Sequence, residues 1–415
     1  MDHCSLSAAG FKALVEAAWP SLTSFSANIP TYGFGGLPLV LGAAAFAAFP
    51  ALEELCLNGV PLGEAGAVLL ASRRWVRLKR LDLFHTWLDA GGFAALARGE
   101  WPALQELDLY GNDFSGAAAG PALAALSRHA RLRRLNVADC RLSAAGFKAL
   151  VEATWPALTR LNAGRFATTG AAAKVEFDGP HALGVAAFAG FPALEELNLK
   201  WVKIGEAGAA LLASQRWPRL RKLELCKTQL GAAGLAALAR GAWPALEELD
   251  LRANDFDDAA AGPALAALSQ HVGLRRLDVI HCSLSAAGFK ALVEAHWPAL
   301  TSLGAVGATV AFDGPHALGA AAFAGFPALE ELDLSCVNLG EAGAALLASR
   351  RWPRLTELKL YEAELGDAGV AALARGAWPA LELLDLRGNY LGVPPALEEA
   401  RRWAPLLGSL YTLGE

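Results

Sequence analysis

Leucine and other apolar residues recur along the chain in hexamers of the form Leu-x-x-Leu-x-Leu, in which apolar and polar positions alternate at the end. There are 14 such hexamers, and successive ones begin 26 to 36 residues apart. Their first residues are Leu22, Leu52, Leu78, Leu104, Leu132, Leu158, Leu194, Leu220, Leu246, Leu274, Leu300, Leu329, Leu355 and Leu381. Because strict alternation is typical of a short strand with one buried side, each hexamer predicts one β-strand.

A second apolar period follows the hexamers and predicts a helix. In one repeat Ile204, Ala207, Leu211 and Leu212 recur at helical spacing, and Glu206 lies in the first turn, where the helix dipole favours an anion. A Trp-Pro or Phe-Pro pair then ends the helix, because proline has no amide hydrogen and disfavours helical geometry in the residue before it. Each repeat is therefore predicted to be a strand, a loop and a helix.

One strand and one helix cannot cover each other's apolar sides, so neighbouring repeats must stack to complete a core. Parallel strands stack about 4.8 Å apart, whereas packed helices need about 8 Å or more. The stack must then bend with its helices outside. We expect a curved α/β solenoid with parallel strands on its concave face and helices on its convex face.

A longer period lies on top of the first. The segment Cys-x-Leu-Ser-Ala-Ala-Gly-Phe-Lys-Ala-Leu-Val-Glu-Ala begins at Cys4, Cys140 and Cys282, so five repeats form one duplicated block. The blocks span residues 1–139, 140–281 and 282–415. They differ in length mainly through an irregular loop at residues 164–179. We expect a single domain, residues 1–415, of about 14 repeats with a degenerate repeat at residues 400–415.

Residues 246–256, Leu-Glu-Glu-Leu-Asp-Leu-Arg-Ala-Asn-Asp-Phe, resemble the leucine-rich-repeat consensus, with Asn254 in the asparagine position. The Leu-Gly-x-Ala-Gly-x-x-Ala-Leu segment of residues 365–373 is most similar to the ribonuclease-inhibitor-like class. The resemblance implies a right-handed α/β horseshoe that binds proteins. Since the family accepts cysteine at the asparagine position, it also implies that Cys140 and Cys282 are buried structural thiols. Asparagine clearly occupies that position only at Asn112, Asn254 and Asn389, so we expect an interrupted ladder of loop hydrogen bonds.

Charge and the N-terminus narrow the class of partner. The chain has 36 basic and 41 acidic residues, a net charge of −5, without a long run of either sign. This distribution does not attract phosphate backbones or anionic lipid, so we expect neither nucleic acid nor a membrane as partner. The N-terminus lacks the basic and apolar segments of a secretory signal, which indicates an intracellular, cytoplasmic protein. Residues 28–52 are uncharged, but their second half recurs before Pro327 with charges close by, so we interpret it as a repeat helix rather than a membrane span.

The first repeat is predicted to be uncapped. The alignment of Cys4 with Cys282 places Met1 at Val279, so the chain is expected to start inside a strand. A repeat without a cap exposes core leucines, which favours fraying or end-to-end self-association at this end.

Residues that often carry chemistry follow the repeat, as scaffold residues do. Equivalent cysteines lie five repeats apart, which is roughly 24 Å at strand spacing and beyond the disulfide reach of about 7 Å. Free thiols in a reducing compartment are expected. Cys56, Cys226 and Cys336 are predicted on the solvent side of separate strands, too scattered to share a metal ion.

Histidines and tryptophans also recur in fixed contexts. His129 and His271 share one helix-end context, and the Asp-Gly-Pro turns of residues 177–181 and 312–316 place His181 and His316 in another. Nine of the 12 tryptophans stand just before a strand and are predicted to plug the core. No phosphate-binding loop with lysine and no Gly-x-Ser-x-Gly elbow occurs. We expect no enzyme activity, no cofactor and no metal site.

Internal copies show which positions vary. Three copies of Phe-Pro-Ala-Leu-Glu-Glu-Leu are identical, whereas aligned residues just after them differ, as in Asn58, Lys200 and Ser335. Differences concentrate where strand side chains face the hollow. Helix-side residues such as Lys148 and Lys290 stay the same, which favours a specialised concave face, with free drift of exposed positions as the alternative.

The predicted face is partly acidic and carries aromatic and arginine residues, which are frequent interface anchors. Thirteen strand intervals give an arc of roughly 60 Å, enough for about 800 Å² of interface per partner. The predicted binding residues are Asp82, Phe84, His85, Trp87, Asp108, Tyr110, Lys200, Trp201, Glu224, Lys227, Asp250, Arg252, Asp278, His281, Asp333, Lys359, Tyr361, Glu362, Asp385 and Arg387.

These features predict a protein-binding scaffold that recognises a protein or peptide through its concave strand face. One alternative is a GTPase-activating regulator of the leucine-rich-repeat type. Another is the substrate-recognition part of a ubiquitin ligase or receptor. A truncated or non-functional product is a further alternative, since the chain is expected to start inside a strand.

Overall fold

The computed structural model describes residues 7–29, 39–165, 182–307 and 317–389. The chain divides into two compact units. We call Met1–Lys203 the N-terminal unit and Ile204–Glu415 the C-terminal unit. The single domain, its three block boundaries and its degenerate last repeat stay predictions. The expected self-association site at the first residues and the two Asp-Gly-Pro-His segments lie outside the described residues.

The strands of the N-terminal unit pair in parallel, each with the next one along the chain. They are β1 (Ser24–Ser26), β2 (Glu54–Cys56), β3 (Arg80–Asp82), β4 (Glu106–Asp108), β5 (Arg134–Asn136), β6 (Arg160–Asn162) and β7 (Glu196–Asn198). The helices of this unit are α1 (Ala8–Glu16), α2 (Gly63–Ala71), α3 (Ala90–Leu96), α4 (Ala119–Leu126) and α5 (Ala144–Glu152).

The C-terminal unit is built in the same way from parallel strands paired in chain order. Its strands are β8 (Lys222–Glu224), β9 (Glu248–Asp250), β10 (Arg276–Asp278), β11 (Ser302–Gly304), β12 (Glu331–Asp333), β13 (Glu357–Lys359) and β14 (Leu383–Asp385). Its helices are α6 (Gly205–Ala213), α7 (Gly231–Ala239), α8 (Ala261–Ala267), α9 (Ala286–Glu294), α10 (Gly340–Ala348) and α11 (Gly366–Ala374).

Every predicted hexamer forms a strand that begins two residues after its first residue. The middle residue of each strand points into the core, as Leu55, Leu249 and Leu332 do, each 1% exposed. Burial of these side chains, worth about 1.5–3 kcal/mol each, drives the stacking of repeats. The strand-loop-helix repeat confirms the predicted fold class, a leucine-rich-repeat solenoid.

Tryptophans at the helix ends fill the core between strand and helix. Seven of the nine predicted plugs are at most 4% exposed, namely Trp75, Trp101, Trp155, Trp217, Trp243, Trp297 and Trp352. The prediction is wrong for Trp19, which is 38% exposed, and only partly true for Trp378, which is half-buried. Trp19 belongs to the first described repeat, so no preceding described repeat covers its ring.

The segment after β1 corrects a prediction. Residues 43–48 form turns instead of the expected helix. The amide of Phe46 donates to the carbonyl of Val15, 2.7 Å away in the last turn of α1, and Phe46 adopts a left-handed φ of 61°. A residue bonded to the preceding helix in this conformation cannot continue a helix of its own. The same geometry recurs at Phe188, with a φ of 66°, and at Phe323, with a φ of 61°.

The buried side of the helices also differs from the predicted one. In α6 the buried residues are Gly208, Ala209 and Leu212, whereas Ala207 is exposed. A Cβ atom at Gly208 would lie 2.5 Å from Cβ of Ile204, so glycine there permits the close packing of the loop on the helix. Glu206 stands in the first turn, as expected.

Asparagine side chains tie neighbouring loops together. Asn254 is 2% exposed, and its Oδ1 accepts from the amides of Thr228 at 3.1 Å and Leu230 at 3.2 Å. Its Nδ2 donates to the carbonyls of Leu225 and Leu251, both at 2.8 Å. Asn112 and Asn389 make the equivalent bonds in their own repeats.

Cysteine and threonine fill the asparagine position elsewhere. The thiols of Cys140 and Cys282 are 1% exposed and donate to backbone carbonyls at 2.9 and 3.0 Å, as the family resemblance implied. Burial raises the pKa of the Cys282 thiol to about 12. Thr86 and Thr228 donate to carbonyls three residues earlier, so the ladder is less interrupted than predicted.

Candidate protein-binding face

Alternation along each strand creates one outward face. We number each repeat from the first residue of its hexamer, so that Leu78 is position 1 and Asp82 is position 5. Positions 4 and 6 enter the core, whereas positions 3, 5 and 7 lie on the opposite side of the sheet. We call positions 3, 5, 7 and 8 the strand face and describe it separately in each unit.

The predicted binding residues fall on three of these positions. Position 5 holds Asp82, Asp108, Glu224, Asp250, Asp278, Asp333, Lys359 and Asp385, and position 7 holds Phe84, Tyr110, Lys200, Arg252, Tyr361 and Arg387. Position 8 holds His85, Trp201, Lys227, His281 and Glu362. The remaining residue, Trp87, lies at position 10 and is half-buried.

Position 8 is a turn and not part of a strand. His85, Trp201, Lys227, His281 and Glu362 have φ values between 49° and 65°, in the left-handed region. Their side chains are therefore presented at the carboxyl ends of the strands. Trp87 has the same type of backbone, with a φ of 61°, two residues further along its turn.

The acidic residues at position 5 have a structural role that the sequence did not reveal. Oδ1 of Asp108 accepts from the amide of Tyr110 at 2.9 Å, and Oδ1 of Asp333 accepts from the amide of Ser335 at 3.0 Å. The same bond forms at Asp82, Asp250, Asp278 and Asp385, and at Asn136, Asn162 and Asn198. These side chains accept the position 7 amide of their own loop, so position 5 favours Asp or Asn.

An aromatic cluster stands on the strand face of the N-terminal unit. The rings of Phe84 and Tyr110 stack with centroids 4.9 Å apart and an interplanar angle of 7°. His85 packs edge-on against both rings, at 4.5 Å from Phe84 and 5.5 Å from Tyr110. Gly111 makes room for the imidazole, because a Cβ atom there would collide with it. Phe84 remains 37% exposed, which leaves an apolar surface for a partner.

Arginines at position 7 dominate the strand face of the C-terminal unit. Arg252 binds Asp250 through Nε and Nη2, at 3.0 and 2.8 Å, and its Nε lies 3.2 Å from Asp278. Arg387 grips Asp385 in the same two-pronged way, at 2.9 and 2.7 Å. These bonds raise the pKa of Arg252 and fix the plane of each guanidinium.

A second aromatic group accompanies the last of these arginines. The guanidinium carbon of Arg387 lies 5.9 Å from the ring centroid of Tyr361, within cation–π range. The Tyr361 hydroxyl donates to Glu362 at 2.5 Å, and this carboxylate raises the pKa of the phenol. Two aromatic groups and two fixed arginines thus stand on the strand faces.

Position 3 carries charged side chains on the strand face that the sequence reasoning missed. It carries Arg80, Glu106, Arg134, Arg160 and Glu196 in the N-terminal unit. Arg134 reaches Glu106, and Arg160 reaches Glu196, both at 3.0 Å. The period of two along a strand should have found these side chains, because position 3 shares its side of the sheet with positions 5 and 7.

The histidines expected to be scaffold are part of the core. His129 and His271 are 8% and 9% exposed and stack on Trp101 and Trp243, at 6.1 and 5.8 Å. Burial lowers the pKa of both imidazoles. In the described ranges, no group of three or more His, Cys, Asp or Glu residues is placed to hold a metal ion.

The length and apolar character of the helices bear on membrane insertion. Within the part of the chain that the structure describes, none is both long and apolar enough to cross a lipid bilayer.

These features define a leucine-rich-repeat fold, and a solved structure shares it. An internalin from Listeria monocytogenes is similar over 98% of this chain and 94% of its own, with 16% identity and a TM-score of 0.52. The plant peptide hormone receptor RGFR1 in complex with RGF2 is similar over 92% of this chain, with 16% identity and a TM-score of 0.42. This chain spans 62% of the length of that receptor chain. No protein-family model matches the sequence, and no curated protein does.

Proposed function

We propose that this chain is a protein-binding scaffold whose strand face recognises a protein or peptide partner. The observation that carries the proposal is the division of labour along each repeat. Positions 4, 6 and 9 are fixed by burial and by the asparagine ladder, and position 5 by its bond to the loop. The side chains of positions 7 and 8 lie outside the core and the asparagine ladder, and they include aromatic and arginine residues.

The chemistry of those side chains suits a protein partner. Aromatic residues and arginines are enriched at interface hot spots, because they bury a large area with little loss of conformational entropy. The stacked pair Phe84 and Tyr110 and the braced Arg252 are already ordered by their neighbours. Ordering before binding lowers the entropic cost of association.

The cysteines support a reducing compartment, and we include a cytoplasmic location in the proposal. Cys56, Cys140, Cys226, Cys282 and Cys336 are all free thiols. Structural disulfides are typical of secreted proteins and rare in the cytosol.

The test is differential capture from lysate with two strand-face variants and two matched controls. Phe84→Ala with Tyr110→Ala removes the aromatic pair, and Arg252→Ala removes one braced cation. Val68→Ala in α2 and Arg375→Ala after α11 remove exposed side chains from the helix side. We expect a set of proteins that is captured by the wild type and both controls and is reduced at least tenfold by a strand-face variant.

Unfolding temperatures of all variants serve as the fold control, since each substituted side chain is at least partly exposed. Capture that the helix-side variants weaken as much as the strand-face variants do contradicts the proposal. So does capture that neither strand-face variant changes.

A further inference from the structure

One position 5 of the C-terminal unit has no side chain. Gly304 ends β11 between Asp278 of β10 and Asp333 of β12, and the registers pair these three residues directly. A cavity of about 160 Å³ lies at this place on the strand face, and both Asp278 and Asp333 line it. A water molecule needs roughly 10–15 Å³ on this measure, so the cavity has room for a side chain.

The equivalent place in the N-terminal unit is filled and neutral. The offset of 142 residues between Cys140 and Cys282 aligns Asp278 with Asn136 and Gly304 with Asn162. Asp333 corresponds to Asn198, which follows the same Phe-Pro-Ala-Leu-Glu-Glu-Leu segment. Three side-chain amides in the N-terminal unit therefore correspond to Asp, Gly and Asp in the C-terminal unit, on the same type of backbone.

The walls of the cavity are also different in the two copies. Ile280 lines the cavity, and its Cδ1 lies 3.1 Å from where a Cβ of Gly304 would be. The aligned residue in the earlier copy is Ala138. At this place the C-terminal unit has an apolar wall and two carboxylates, and the N-terminal unit has neither.

The charges around the cavity do not balance. Its basic residues are already engaged, because Lys359 lies 3.0 Å from Glu357 and Arg276 lies 3.7 Å from Glu331. Asp278 shares Arg252 with Asp250, as described above. Among the residues that line the cavity, two cations therefore face the four carboxylates of Asp278, Glu331, Asp333 and Glu357, which leaves two negative charges in excess.

We propose that this cavity receives one basic side chain, arginine or lysine, of the partner bound on the strand face. The aliphatic stem packs on Ile280, and the cationic head lies between Asp278 and Asp333. Long basic side chains combine these two contacts well, since their stems are apolar and their heads are charged. This inference rests on the proposed function, because the side chain arrives on a partner held by the rest of the face.

The chain offers a spectroscopic probe at the site. It has three isoleucines, Ile29, Ile204 and Ile280. Ile29 and Ile204 are 7% and 3% exposed in the core, whereas Ile280 lines the cavity. Protein labelled with ¹³C only at the isoleucine δ1 methyls should give one signal at the cavity and two internal references.

The experiment titrates full-length labelled protein with the capped peptide Gly-Gly-Arg-Gly-Gly, with its lysine version, and with a citrulline version that has the same shape without the charge. We expect a saturable shift of the Ile280 methyl signal with the arginine or lysine peptide and none with citrulline. The signals of Ile29 and Ile204 should stay in place. An equal response to citrulline overturns the inference.

Variants copied from the earlier copy locate the response. Gly304→Asn fills the cavity, and Asp278→Asn or Asp333→Asn removes one charge while keeping the acceptor for the loop amide. Each should weaken peptide binding about tenfold or more, the value of one hydrogen bond to a charged group. Asp82→Asn in the N-terminal unit should change nothing. An unchanged titration for Gly304→Asn or for both carboxylate variants also overturns the inference.

The two proposals fail separately. If the peptides do not shift Ile280 but the aromatic variants still abolish capture of partners, the cavity inference is wrong and the proposed function stands. If the peptides bind as expected while no strand-face variant affects capture, the scaffold proposal is wrong and the cavity remains a site for a cation.

Discussion

Asn254→Ala tests whether the asparagine ladder holds the loops of the C-terminal unit together. The substitution removes an acceptor from the amides of Thr228 and Leu230 and a donor from the carbonyls of Leu225 and Leu251. The carbonyls keep other partners, because Leu225 also accepts from the Thr228 hydroxyl at 2.7 Å and Leu251 accepts from a neighbouring thiol at 3.0 Å. The two amides lose the acceptor that Asn254 supplies. The Thr228 hydroxyl lies 3.3 Å from the same Oδ1 but keeps the Leu225 carbonyl as its acceptor.

The magnitude follows from those two amides. A buried donor without a partner costs about 1–3 kcal/mol, so for two of them we expect a loss of about 2–6 kcal/mol in local stability. The chain also shows what a milder change does. Cys282 holds the same position one repeat later, and its thiol donates to the Leu251 carbonyl. Its backbone carbonyl accepts from the amide of Phe256 at 2.9 Å, and Phe256 is the counterpart of Leu230. Asn254→Cys should therefore cost about 1 kcal/mol.

The assay is amide hydrogen exchange, because repeat arrays often do not unfold in one step and global melting averages over them. Peptides that contain Thr228 and Leu230 should exchange at least roughly 30-fold faster in Asn254→Ala, as a loss of about 2 kcal/mol or more implies. The equivalent loop at Asn112 should not change and serves as an internal control. Equal exchange in the alanine and cysteine variants, or acceleration below about threefold in Asn254→Ala, refutes the reasoning.

Three further predictions concern groups with a defined environment. Burial raises the pKa of Asp278 to about 6, with Asp250 and Asp333 adding to the rise while the Ile280 amide and Arg252 oppose it, so the folded state binds a proton more tightly than the unfolded state. The stability that this carboxyl group contributes is present below its unfolded pKa and is lost as pH rises through about 6. After allowance for solvent screening, Asp278→Asn should stabilise the protein by about 1 kcal/mol at pH 7.5 and by nothing near pH 4. Equal effects at both pH values in denaturant titrations would contradict this. Gly111→Ala should cost about 1–2 kcal/mol in the same titrations, because φ is +70° and the new Cβ collides with His85, whereas a neutral result would show that the turn relaxes freely. Cys282 should resist alkylation at pH 8 in the folded protein and react after unfolding, as mass spectrometry can follow, and labelling as fast as that of half-buried Cys56 would disprove its burial.

The strands were predictable because each one depends on a local pattern. Alternation in a hexamer such as residues 246–251 fixes which side chains are buried, and burial alone is enough to define a short strand. The asparagine and cysteine positions were predictable through the family resemblance. Their roles depend on distance from the hexamer, which the sequence gives directly.

The missed features depend on contacts between repeats. Residues 43–48 have helix-forming composition, yet the bond from Phe46 to Val15 turns the chain away from a helix. Ala207 fits the predicted apolar stripe, but the buried residues are Gly208, which packs on Ile204, and Ala209, which packs near Gly234 of α7. Neither contact leaves a mark in the local sequence.

On the candidate binding face, too, some features could be predicted from the sequence and others could not. Position 7 and 8 residues were found because internal copies differ there, and difference requires only the sequence. The bond from Asp108 to the Tyr110 amide could not be seen that way, because asparagine and aspartate both satisfy it and the copies exchange them freely. Most of the acidic residues at position 5, which were predicted to bind a partner, also accept the backbone amide of their own loop.

That exchange explains how the face can change without loss of the fold. At position 5 either Asp or Asn accepts the loop amide, so charge can be added or removed there while the bond is kept. Gly304 gives up the bond altogether, and β11 is nevertheless paired on both sides. The sheet therefore tolerates an open cavity at one strand because its neighbours hold the register, and such tolerance lets duplicated repeats differ in the side chains of their strand face.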